Sequence, residues 1–207
     1  MTLMSISAVR NAIWNVVIEW YDEYIDIKHN DGTDDNNSKL DKIEFINKPT
    51  VLPDGVEEEV IIDERLLMTP SFAITQCYKV TATMAKITRD TLVMSVRMLK
   101  QYNPKVAELI NKNEVLIDKY QDTLESFLQK LSGRELSDED SNKISQLILS
   151  ISDFEKIADH SIHILNIAQK MHRKEWELSP ETIEELNYIE TIIYSLENSI
   201  QQNFVLK

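Results

Sequence analysis

Two pairs of carboxylates stand four residues apart in this chain, Glu155 with Asp159 and Glu114 with Asp118. Each pair belongs to a stretch whose apolar residues step by three and four, the spacing of a helix that packs one face on a core. In residues 150–168 the apolar positions are Ile151, Phe154, Ala158, Ile162 and Leu165. At about 100° per residue, Glu155 falls between Ile151 and Ile162 on that face, and Asp159 and His163 follow down its border. Glu114 and Asp118 border the stripe of another helix in the same way, with Asp122 one turn further on. Like charges at i, i+4 repel by a few tenths of a kcal/mol on an exposed helix, and by more where water is excluded, unless a proton or a cation compensates them. Carboxylates converging from two helices suit a hard or borderline cation, iron, manganese, magnesium or zinc, with His163 as a borderline ligand. The competing reading is a solvated acidic surface. With 35 acidic residues in 207, acidic pairs at i, i+4 arise by chance, and spacing alone does not decide.

The elements that must position these groups are helices. Three glycines and five prolines are few for a β-sandwich or a doubly wound α/β fold, both of which consume turn residues, so the fold class is all-α. Three prolines mark helix starts, each behind a residue able to cap: Thr69-Pro70, Asn103-Pro104 and Ser179-Pro180. The first helix, 70–102, carries Ala73, Cys77, Val80, Met84, Ile87, Thr91, Met94 and Met98 in an alternation of four and three, a bundle seam on which methionine is core filler. The second, 104–131, packs Ile110, Ile117, Tyr120, Leu124 and Phe127 and ends at Gly133, which is expected to cap it. Ser137 with the acids of 138–140 opens a third, which runs through the carboxylate pair to about Lys174. The fourth runs from Pro180 to about Phe204, with Ile183, Leu186, Ile189, Ile193, Leu196 and Ile200 inward. Short loops between long helices make antiparallel neighbours, which predicts an up-down bundle and brings the two acidic pairs, each near the middle of its helix, to the same level.

Upstream, residues 6–27 have helical apolar spacing through Val9, Ile13, Val16, Val17, Trp20 and Tyr24; 29–39 is a polar loop; and 42–59 holds Pro49, Pro53 and Gly55 in an extended linker. The domain reading is an amphipathic N-terminal helix in 1–28, a linker in 29–62 and the bundle in 63–207. The 29–39 loop lacks the ligand order, glycine and closing glutamate of an EF-hand. A net charge of −13 argues against nucleic-acid and anionic-membrane affinity. The single cysteine, Cys77, falls on an apolar stripe and is expected to be a buried, inert thiol, in keeping with a reducing cytoplasm. No run of about 18 apolar residues predicts a membrane span. Phosphate-binding glycine loops, nucleophile elbows, Cys-x-x-Cys and His-Glu-x-x-His are absent, so no enzyme is expected.

The string Asp153-Phe-Glu-Lys-Ile-Ala-Asp-His160 resembles the Asp-Leu-Glu-Arg-Ile-Gly-Asp-His signature of PhoU and of the PhoU-like domains that follow the membrane part of bacterial sodium/phosphate cotransporters. Asp63-Glu-Arg-Leu-Leu-Met-Thr-Pro70 is similar to the lead-in that joins those membrane segments to their PhoU-like domain. Together the likeness covers residues from about 60 to 205. Lys156 stands for the usual Arg, Ala158 for Gly and His163 for a common Asn. The resemblance implies three-helix repeats in which acidic motifs on two helices hold a metal ion or cluster, and it places Glu114/Asp118 and Glu155/Asp159 at those motifs. It further implies a cytoplasmic, non-enzymatic regulator of phosphate transport or phosphate homeostasis, at the inner face of the plasma membrane when its partner is a transporter membrane domain, with another protein partner or a homo-oligomer as further expectations. A carboxylate-bridged di-metal oxidase of ferritin type is the alternative of another class. It needs Glu-x-x-His pairs, and none of His160, His163 and His172 has a Glu three residues before it. A metal-free helical interaction scaffold is the third reading.

Overall fold

The computed structural model describes residues 62–195. The expected N-terminal helix, polar loop and extended linker, and the last turns expected of the fourth helix, lie outside the described residues. Within them the chain is helical throughout: a short 3-10 helix, Glu64–Met68, then α1 (Pro70–Lys100), α2 (Pro104–Ser132), α3 (Asp138–Arg173) and α4 (Pro180–Ser195). No strand occurs among the described residues.

Local chemistry sets the boundaries. Proline occupies the first turn of α1 and of α2, where its missing N–H would have had no helical partner. The Asn103 side chain accepts from Lys105 N at 2.9 Å, the Ser137 hydroxyl accepts from Asp140 N at 3.1 Å, and the Ser179 hydroxyl accepts from Thr182 N at 3.3 Å. Thr69 departs from the expectation: it makes no side-chain cap, and its hydroxyl donates to the Leu66 carbonyl of the preceding 3-10 turn at 3.4 Å. The C-termini hold a second departure. Gly133 closes α2 at φ −77, a conformation open to any residue, so its freedom is not used. The left-handed cap falls instead on Glu175, at φ 52 after α3. There Trp176 N donates to Met171 O at 3.0 Å and Glu175 N to His172 O at 3.2 Å, the double bond pattern of a Schellman turn that ordinarily calls for glycine.

Contacts between helix ends fix the topology. Lys130 near the end of α2 meets Glu64 before α1 at 2.5 Å, and Ser71 at the start of α1 donates to Asp140 at the start of α3 at 3.3 Å. Lys100 at the end of α1 donates to Asn187 midway along α4 at 2.8 Å, and Arg97, one turn earlier in α1, donates to Glu190, one turn later in α4, at 2.9 Å. The helices therefore alternate up and down, as expected for loops this short. α1, α2 and α3 pack on one another, and α4 packs on α1.

α1 is the central element. Its expected seam is buried at Ala73, Cys77, Met84, Thr91, Met94 and Met98, while Val80 and Ile87 are only half-buried. Between Thr88 and Val96 every residue is buried, charged ones included. Arg89 and Asp90 form an ion pair there, with Arg89 donating to Asp90 Oδ1 at 2.7 and 3.0 Å. Burying two opposite charges in apolar surroundings is tolerated because each offsets the desolvation of the other. Cys77 is fully buried, and burial pushes its thiol up to about 12, so it is the inert core residue expected.

Candidate functional site

The site is built on the faces that α2 and α3 turn toward each other. On α3 the buried stripe consists of Ile151, Phe154, Ile157, Ala158, Ser161, Ile164, Leu165 and Ala168. Ile162 is only half-buried, which corrects the expected phase: the stripe is centred further round the helix, and Glu155 lies on its rim rather than within it. On α2 the stripe is Ile110, Asn113, Ile117, Tyr120, Leu124 and Phe127, and Glu114 occupies the rim. Glu114 and Glu155 are half-buried, whereas Asp118, Asp159 and His163 are exposed.

Asp118 and Glu155 fall at the midpoints of α2 and α3, and the two helices run in opposite directions, so their middles lie level. The charges report the result. Burial, then the charges of Asp118 and Asp159, push the Glu114 carboxyl above the usual carboxylate range. Burial, then Asp159 and Asp122, do the same to Asp118. Glu155 is raised first by burial, then by the charges of Asp159 and Asp118 and the nearness of the Asp159 carboxylate one turn away; Lys156 opposes this. Lys156 itself pairs with Asp153 at 3.1 Å. The tertiary fold thus sets Glu114, Asp118, Glu155 and Asp159 in one mutually repelling field, with Asp122 at its edge. His163 is placed one turn beyond Asp159, on the same line of α3, and exposed.

A field is not yet a coordination sphere. Among the described residues no three His, Cys, Asp or Glu side chains are gathered into a group that could hold a metal ion. The donor chemistry nevertheless suits a cation: four carboxylates, three of them raised in part by one another's charge, gain from any positive charge placed between them. Side-chain rotation on two fixed helices would have to complete the ligand set.

Residues 81–168 match the PhoU domain family. The PhoU match opens in α1 and closes in α3, so it contains both acidic pairs and His163 and leaves α4 outside. No curated protein and no solved structure matches the chain. No helix among the described residues is long and apolar enough to cross a membrane.

Three buried polar features escaped the sequence reading. Besides Arg89 and Asp90, Asn113 on α2 donates to the Thr91 hydroxyl on α1 at 2.9 Å, tying the two helices beneath the acidic rim. Glu190 on α4 is buried and accepts from Arg97 Nε at 2.9 Å and from Lys100. Asn113 lies in the polar run 111–114, whereas Glu190 and the Arg89–Asp90 pair are charged groups that residue type alone assigns to the surface. Glu190 does stand four residues after Leu186 and three before Ile193, and that spacing is the signal that could have placed it inward.

Proposed function

We propose that this chain is a non-enzymatic regulatory domain of PhoU type acting in phosphate homeostasis, and that Glu114, Asp118, Glu155 and Asp159 hold a metal ion between α2 and α3. The observation that carries the reading is the coincidence of the PhoU match with the two acidic pairs and their shared field. PhoU domains are regulatory scaffolds, and nothing in the described fold supplies the Glu-x-x-His ligands of a di-metal oxidase. Hard oxygen ligands favour iron, manganese or magnesium, with zinc admitted if His163 joins. A bound cation would cancel the repulsion between the pairs and so couple ligand occupancy to the packing of α2 on α3, which is a means of passing a signal to a partner. The finer reading places that partner in sodium-coupled phosphate transport, as a transporter membrane domain met at the cytoplasmic side; its support is the likeness of 63–70 to the lead-in of such domains.

Elemental analysis of chain purified without chelator tests the metal directly. A transition metal or magnesium near stoichiometry is expected in the wild type, and its loss in the Glu155→Gln/Asp159→Asn variant with helical circular dichroism retained. Equal metal content in the two proteins would move the site elsewhere. The partner reading is tested by co-purification with a phosphate transporter membrane domain, with and without that double substitution.

A further inference from the structure

The fourth helix is attached differently from the other three. α1, α2 and α3 each pack on the other two, whereas α4 has α1 as its main packing partner among the described residues. Leu186, Ile189 and Ile193 supply the apolar part of that contact. Its polar part is a clasp: Glu190, 6% exposed, accepts from Arg97 Nε at 2.9 Å and from Lys100, and Lys100 also donates to Asn187 at 2.8 Å. The Arg97 guanidinium lies over the Tyr194 ring, 5.6 Å from its centroid. A chain carrying a net charge of −13 here sets two cations against one carboxylate, so the α1 face selects an acidic, amphipathic helix. α4 is such a helix.

Residues 174–179 join α3 to α4, and Glu175 in this connection is the one non-glycine residue with left-handed backbone among those described. A left-handed conformation strains any residue with a Cβ, and the strain is relieved when the connection opens. Opening leaves the contact surfaces unchanged, because α4 of another copy brings the same Leu186, Ile189, Glu190 and Ile193 to the same α1 face. Exchange of an element between copies trades only connection strain against the entropy of association, and strained short connections favour it.

We propose that the α1 face bearing Arg97 and Lys100 is the docking surface for α4 of a second copy of this chain, so that the protein forms dimers by exchanging α4. The inference rests on the α1–α4 geometry and is independent of what the acidic pairs bind.

Charge reversal separates exchange from simple closure. The Glu190→Lys chain sets three cations together within itself, and the Arg97→Glu/Lys100→Glu chain sets three carboxylates together, so neither closes in cis. Mixed, each α4 finds its opposite on the other chain, and light scattering on a sizing column should report a 1:1 heterodimer of twice the protomer mass. A mixture that stays monomeric while both chains keep their helical circular dichroism overturns the proposal. Should either chain fail to fold, the milder pair of Lys100→Cys and Asn187→Cys, carried on separate full-length chains and refolded together under oxidising conditions, provides the reading. An inter-chain disulfide between them is expected, and buried Cys77 does not compete for it. Absence of that bond, with a disulfide closing readily inside a Lys100→Cys/Asn187→Cys double variant, overturns the exchange. Glu175→Gly removes the connection strain and should lower the wild-type dimerisation constant about tenfold or more; an unchanged constant also counts against it.

Discussion

Neutralising Glu155 is expected to change stability with opposite sign in the absence and presence of metal. In the metal-free protein, Glu155→Gln removes one charge from repulsion by Asp159 and Asp118 and relieves part of its burial cost. Each like-charge neighbour at a solvent-screened helix surface is worth a few tenths of a kcal/mol, so the variant should gain about 0.5 kcal/mol, or roughly 1–2 °C in melting temperature for a chain of this size. With metal at a hundred times its dissociation constant, the wild type gains about 2.7 kcal/mol, roughly 5–10 °C, and the variant gains much less. The two melting curves should therefore exchange order when chelator is replaced by metal. pH supplies an independent check. Glu114, Asp118 and Glu155 have folded-state values raised above their ordinary 4.5, 3.8 and 4.5, so the native state binds more protons than the unfolded chain just above those values. The cluster's contribution to metal-free stability is then most favourable below them, and it falls as pH rises through the raised values, the reverse of a salt-bridged carboxylate. Differential scanning calorimetry between pH 4 and 7.5 should show a shallower decline for Glu155→Gln than for the wild type. Identical curves for wild type and variant, with metal, with chelator and across pH, would mean that the acids are merely solvated and that the argument from their shared field is wrong.

His163→Ala should weaken metal binding more than His160→Ala, because only His163 continues the line of Glu155 and Asp159; titration calorimetry of the two variants decides, and the reverse order would refute the line. Phe154 is 2% exposed at the centre of the α3 stripe, and Phe154→Ala should cost about 3–5 kcal/mol in urea denaturation, whereas truncation of exposed Leu149 should cost well under 1. Glu175→Gly places in the Schellman turn the residue its backbone asks for and should raise the urea midpoint by the equivalent of about 1 kcal/mol; a loss of stability would show that the left-handed turn carries no strain.

The four helices were legible in the chain because their signals are local. Proline in the first turn, a capping side chain two or three residues before the N–H it serves, and apolar steps of three and four all act within a turn or two of the backbone, and the boundaries of α1 to α3 follow them closely. The two acidic pairs were legible for the same reason, as was their common level, since antiparallel helices of similar length bring their middles together. What local pattern could not supply is the rotation of each helix about its axis. That is set by the partners it meets, and it moved Glu155 from the stripe to the rim by burying Ile157, Ser161 and Ile164 on its far side. Burial of charge is likewise a property of the assembly. Glu190 reads as surface because nothing beside it in sequence can pay its desolvation, and it lies inside because Arg97 and Lys100 reach it from another helix, whereas Arg89 and Asp90 compensate each other as sequence neighbours and only the packing of α1 takes the pair out of water. The left-handed cap shows the same division: Gly133 stands where any residue would serve, and Glu175 takes the conformation glycine favours because α3 must end there for α4 to fold back onto α1.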